Sequence, residues 1–192
     1  FYYPIISYFG LLYNSPFLIS IYKNYIMMKM NSYINDFTNH LSEAIEIANN
    51  SSLASCTKEI RNVLICGLGG SGIGGTIVSD IISSKVNIPI TATKDYTIPN
   101  FVNDRTLVIA NSYSGNTEET LSALKKCQER EAEIAVITSG GGLKSIAEEY
   151  NYNTIIIPGN HPPRAMFGYA FTEIFYMLNH YRIIDDSFKS DF

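Results

Sequence analysis

Five short runs rich in β-branched and aliphatic residues alternate with helix-patterned stretches from residue 62 onward, and that alternation leaves few folds open. The runs are Asn62–Cys66, Ile88–Ala92, Thr106–Ala110, Glu133–Thr138 and Thr154–Ile157. Helical spacing occupies Ile77–Ser84, Glu118–Gln128 and Leu143–Tyr150 between them. A longer helix, Arg164–His180, closes the series, with Phe167, Ala170, Ile174, Met177 and Leu178 in register. The connection Thr93–Arg105 contains Pro99 and two Asn, and only a turn of helix is expected there. Alternating strand and helix predicts a parallel sheet covered on both faces, with right-handed crossovers. The runs are almost continuously apolar, as strands buried on both faces are. The expectation is an α/β three-layer sandwich with a five-stranded parallel sheet. A chain of 192 residues suits one well-cored domain.

Ahead of the first strand, Ile34, Phe37, Leu41, Ala44, Ile45 and Ala48 form one helical stripe opposite Asp36, Asn39, Glu43 and Glu46. The stretch 1–28 is aromatic, isoleucine-rich and free of charge until Lys23. Pro4, Gly10, Asn14 and Pro16 interrupt it, so a membrane span is not expected. No basic n-region precedes it either, as a secretory signal would require. A natural start at Met27, Met28 or Met30 is expected, with residues 1–30 an extension outside the fold.

Ligands of such sheets gather at the carboxyl ends of the strands, near the switch in strand order. Every unusual cluster of this chain falls in one of those loops. After the third strand comes Ser112-Tyr113-Ser114-Gly115-Asn116-Thr117, followed at once by a helix beginning Glu118-Glu119-Thr120. Three hydroxyls and a glycine at a helix start suit a phosphate ester, because the unpaired N–H groups of the first turn face the same space. The same residue types are also ordinary turn and cap formers. The first basic residue beyond the turn is Lys125, so the anion is expected to be held by neutral donors.

After the first strand, residues 67–75 read GLGGSGIGG. Gly67, Gly69 and Gly72 satisfy the G-x-G-x-x-G spacing, and Asp95 could serve as the ribose acid of a dinucleotide site. The spacing is weak alone, and a Walker loop is excluded because Gly75 stands where lysine is required. The loop offers close backbone approach and one hydroxyl, Ser71, directed at the crevice. Tight helix–strand packing is the alternative use of those glycines.

GLGGSGIGG, SYSGNTEET, SGGGL and PPRAMFGY, in that order after strands one, three, four and five, resemble the sugar-isomerase (SIS) domain. They are most similar to the amino-terminal domain of the bifunctional phosphoglucose/phosphomannose isomerase family, over about Tyr33 to Tyr181. The resemblance implies that Ser112, Ser114 and Thr117 hold a sugar phosphate and that Gly70 and Ser71 line the sugar. It places Arg164 at the C1–C2 region, as both a binding and a catalytic residue. Aldose–ketose isomerisation passes through an enediolate, and a fixed guanidinium stabilises its developing oxyanion. A helix-start arginine paired to a surface acid is the plainer alternative. His161 is read as an exposed loop residue.

In that family the catalytic carboxylate, histidine and lysine come from a second SIS domain. Residues 31–182 account for one such domain here, and 183–192 read as the start of a connection. Glu173, inside the last helix beside Ile174, is read as structural or interfacial. The expectation is therefore a phosphosugar-binding half of a glucose-6-phosphate/mannose-6-phosphate isomerase, inactive alone and paired with a second SIS domain or a homodimer partner. A non-catalytic sugar-phosphate-sensing module is the alternative, although no helix-turn-helix or similar basic segment is evident.

Net charge of −4 and the lack of basic clusters interleaved with aromatics give no reason to expect nucleic acid or an anionic membrane as partner. Three cysteines without metal or CxxC spacing read as reduced thiols of a cytoplasmic protein. His40, His161 and His180 are scattered, so no metal and no cofactor is expected.

Overall fold

The structure, a computed structural model, describes residues 30–191. The chain divides into two compact units, 1–38 and 39–192. The described part of the first unit is helical from Met30 to Asn35, and the expected N-terminal extension otherwise lies outside the described residues. Helix α1 (Phe37–Asn50) leads into the second unit, where it buries His40, Ala44 and Ala48. Ile34 and Phe37, which the stripe includes, are exposed.

The second unit holds β1 (Asn62–Cys66), α2 (Gly69–Ile82), β2 (Ile90–Thr93), β3 (Thr106–Ser112), α3 (Glu118–Gln128), β4 (Glu133–Thr138), α4 (Gly141–Tyr150), β5 (Asn153–Ile156) and α5 (Phe167–His180). A 3-10 turn, Pro163–Met166, precedes α5, and a second one covers Asp186–Asp191. All pairings are parallel, in the order β2-β1-β3-β4-β5. This is the flavodoxin-like order, and it places the topological switch between β1 and β3.

β3 is the central strand, and all seven of its residues are buried. One face of the sheet is covered by α3 and α4, whose Ala123, Leu124, Cys127, Leu143 and Ala147 pack on Leu64, Val108, Ile134 and Val136. The other face carries α2 and α5, which also pack on each other. Tyr169 Oη of α5 donates to Glu43 Oε2 of α1 at 2.6 Å, with the His40 ring tilted by 34° to the tyrosine ring at 5.2 Å between centroids.

Two departures from the sequence expectation bear on the site. Helix α2 begins at Gly69, well before the expected Ile77, although glycine is a poor helix former. Packing supplies the reason: a Cβ on Gly75 would lie 2.7 Å from Ile65 Cγ2, so glycine lets the helix press onto β1. The Thr93–Arg105 connection contains turns and no helix.

Glu173 is fully buried on α5, and neither carboxylate oxygen has a hydrogen-bond partner. Burial pushes its carboxyl up from 4.5 to about 8. Because the folded-state value exceeds the unfolded one, the stabilising contribution is complete below about pH 4.5 and is lost as pH rises through about 8. The full effect is on the order of 5 kcal/mol. Glu173→Gln should therefore leave the melting temperature near that of the parent at pH 4.5 and raise it by about 10 °C relative to the parent at pH 8.5. Thermal denaturation across that range checks this, and a difference that does not change with pH would contradict it.

Candidate phosphosugar site

The loops after β1 and β3 face each other across the switch point. Register pairs Cys66 with Ala110, so Gly67 and Asn111 emerge side by side. Asn111 is fully buried, and its Nδ2 donates to Ser71 O at 3.1 Å. The backbone N–H of Tyr113 donates to Ser71 Oγ at 3.3 Å. These two bonds fix the start of α2 against the end of β3.

β3 runs two residues beyond the expected Ala110, because Asn111 and Ser112 pair with Ile137 and Thr138 of β4. Ser112 is consequently buried, and its Oγ lies 2.9 Å from Thr117 Oγ1. Thr117 stands at the N-cap of α3, yet its side chain caps no helical N–H. The helical ladder begins with Leu121 N–H donating to Thr117 O at 3.0 Å, which leaves the first-turn amides without intrahelical acceptors. Ser114 is exposed, and its Oγ accepts the Asn116 N–H at 3.3 Å.

Counting protons shows what this corner can donate. Ser71 and Ser114 each accept a backbone N–H, which leaves their own O–H free to donate. The Ser112–Thr117 pair uses one proton between its two oxygens and retains the other. Several hydroxyl donors and the positive end of α3 thus meet at one turn, which suits an oxyanion with several acceptor oxygens. The acidic first turn, Glu118 and Glu119, opposes this, so neutral donors must outweigh two nearby carboxylates.

Gly115 sets the shape of the turn. Its φ is +68°, and a Cβ there would collide with Gly140 O in the loop after β4. That close approach lets Leu143 N–H donate to Gly115 O at 2.8 Å and Gly142 N–H to Asn116 Oδ1 at 2.8 Å. The start of α4 is thereby joined to the same turn.

Arg164 lies in the 3-10 turn after β5, exposed and without a hydrogen bond or ion pair among the described residues. A Cβ on Gly70 would lie 3.6 Å from Pro163 O and 3.9 Å from Arg164 Cα, so the arginine's backbone adjoins the glycine loop. The residues picked out from sequence, Gly70, Ser71, Ser112, Ser114, Thr117 and Arg164, therefore fall on three neighbouring loop ends. Asn111, Tyr113 and Asn116, which bond to Ser71 or Ser114, were not picked out; nor were Ser139, bonded to Tyr113, and Lys94, whose Cγ would lie 3.1 Å from a Cβ on Gly72. A cavity of about 990 Å³ lined by Ile81, Phe171, Phe175 and Phe188 lies at the opposite end of α2 and α5 and includes none of these residues.

The SIS domain model matches residues 58–180. The chain belongs to the SIS domain family. A bifunctional phosphoglucose/phosphomannose isomerase of Caldicellulosiruptor bescii is 45% identical over 131 residues, which are 68% of this chain and 39% of that protein. A D-glucosamine-6-phosphate 4-epimerase of Sulfolobus acidocaldarius is 37% identical over 134 residues, covering 67% of this chain and 42% of its own. The C-terminal domain of glucosamine-fructose-6-phosphate aminotransferase from Francisella tularensis shares the fold, with a TM-score of 0.61 at 17% identity over 82% of this chain and 50% of that one. This SIS domain spans about two fifths of the length of the two curated relatives. No helix among the described residues is long and apolar enough to cross a membrane.

Gly115→Ala should disturb the SIS domain at this turn, through the positive φ and the encounter with Gly140 O. A loss of about 1–3 kcal/mol is expected in urea denaturation. Unchanged stability would mean that the close approach of the two loops is not maintained in solution.

Proposed function

We propose that this chain is the phosphosugar-binding half of an aldose–ketose isomerase that interconverts glucose 6-phosphate or mannose 6-phosphate with fructose 6-phosphate in the cytoplasm. The observation that carries the reading is the convergence of the Ser112–Thr117 hydroxyl turn, the unpaired first turn of α3 and the Gly70–Arg164 contact at one sheet end. The 45% identity to a bifunctional phosphoglucose/phosphomannose isomerase supports the choice of substrates.

In this reading Ser112, Ser114, Thr117 and the α3 amides hold the phosphate, while Gly70 and Ser71 line the sugar. Arg164, always charged and without an ion-pair partner among the described residues, stabilises the oxyanion that develops as the proton moves between C1 and C2. Isomerisation also requires a general base, usually worth about 10²–10⁴-fold. Glu173, buried on α5 with both oxygens enclosed, is not available to a substrate. The base is assigned to the part of the enzyme beyond the two fifths that this chain matches. It would be contributed by a second SIS domain or a homodimer partner, and residues 1–192 alone would bind substrate with negligible turnover.

Ser114→Ala should weaken fructose 6-phosphate binding by about 1–3 kcal/mol, the loss of a hydrogen bond to a charged group. Unphosphorylated fructose should bind poorly to both forms. Isothermal titration decides: equal affinity for fructose and fructose 6-phosphate would remove the phosphate site from this turn. Robust conversion of either aldose phosphate by residues 1–192 unaided would refute the assignment of the base.

A further inference from the structure

Tyr113 connects more loops than any neighbour at this sheet end, and none of the roles proposed above uses its side chain. Its N–H donates to Ser71 Oγ at 3.3 Å in the first turn of α2. Its carbonyl accepts Ser139 N–H at 3.0 Å and Ser139 Oγ at 2.6 Å from the loop after β4. Its phenol oxygen accepts the His161 N–H at 3.0 Å from the loop after β5. Only this last bond depends on the side chain.

The bond is placed where it controls Arg164. Between the anchored His161 amide and Arg164 stand only Pro162 and Pro163, whose rings fix φ. Pro162 has φ −60° and ψ 125°, and Ala165 N–H donates to Pro162 O at 2.9 Å to close the 3-10 turn. On the other side of the anchor, Asn160 has φ +65°, a left-handed conformation that turns the chain just before the anchored amide. A stiff arm of two prolines thus has the Tyr113 phenol oxygen bonded at its root and carries the arginine at its tip. Gly159 lies near Ser139, where a Cβ would be 3.7 Å from Ser139 Oγ, so the pinned loop closes over the residue that also bonds the Tyr113 carbonyl.

We infer that Tyr113 is a positioning residue: its phenol oxygen, by holding the His161 amide, sets Arg164 over the sugar end of the site without itself touching the phosphate. This rests on the phosphosugar reading given above. Tyr113→Phe preserves the ring and every backbone bond and removes only the phenol oxygen.

The test uses the full chain in wild-type, Tyr113→Phe, Arg164→Ala and doubly substituted forms. Exchange of the His161 amide, read by NMR, should quicken roughly tenfold in Tyr113→Phe while the α3 amides stay unchanged. Fructose 6-phosphate should bind roughly tenfold more weakly, and inorganic phosphate, held in this reading by the β3–α3 turn without Arg164, should bind as before. The double variant should bind no more weakly than Arg164→Ala alone, because the phenol acts through that arginine. Unchanged His161 exchange, additive effects, or equal losses for phosphate and sugar phosphate would each overturn the assignment. If the wild type binds neither ligand, the phosphosugar reading and the role set over the sugar fall together, while His161 exchange separately decides whether the phenol holds the loop.

Discussion

The in-register pairing of β1 with β3 is the constraint on which the site depends. It brings Gly67 and Asn111 out of the sheet together, and a Cβ on Gly67 would lie 2.8 Å from Asn111 O. From that point the chain diverges to opposite sides of the sheet, which opens a crevice at the switch. Asn111 then spans the crevice to Ser71 O, so the glycine loop and the hydroxyl turn are held as one unit. A slip of this register would separate the glycine loop from the hydroxyl turn and bring polar Asn111 out of alignment with its acceptor.

The donors of the turn are mostly uncharged, and this has an electrostatic consequence. Two carboxylates in the first turn of α3 complement its dipole when the site is empty and oppose an incoming anion. Under the proposed function, binding would therefore rely on short hydrogen bonds from oriented hydroxyls and amides, with Arg164 a cation whose backbone adjoins the glycine loop. A site of that kind would recognise the shape of a phosphate ester as much as its charge. The same domain frame occurs in relatives named for isomerisation and for epimerisation, which fits a division of labour in which this part binds the phosphosugar.

Much of the fold was legible because its strands are buried on both faces, and the five apolar runs match β1 to β5 within two residues at each boundary. Helix α3 was bounded as observed, since Thr117 and the two glutamates mark its start. The start of α2 was hidden, because glycine argues against helix while its close packing on Ile65 requires it. The extension of β3 to Ser112 was hidden for a related reason: polar residues at a strand end read as loop until β4 pairs with them. Ser71, Ser112, Ser114 and Thr117 were visible as a pattern of hydroxyls beside glycines. Tyr113 and Asn111 were not, because their partners are groups 26 to 48 residues away in sequence. Lys94 was missed similarly, since only folding sets β2 beside the glycine loop.

The central claim is that the turn between β3 and α3 receives the phosphate. Backbone amide shifts of ¹⁵N-labelled protein during titration with fructose 6-phosphate test it most directly. The account predicts that the largest changes centre on Gly115 through Thr120, with Ser71 and its neighbours following. Changes centred instead on the cavity lined by Phe171, Phe175 and Phe188, with the β3–α3 turn unaffected, would contradict it.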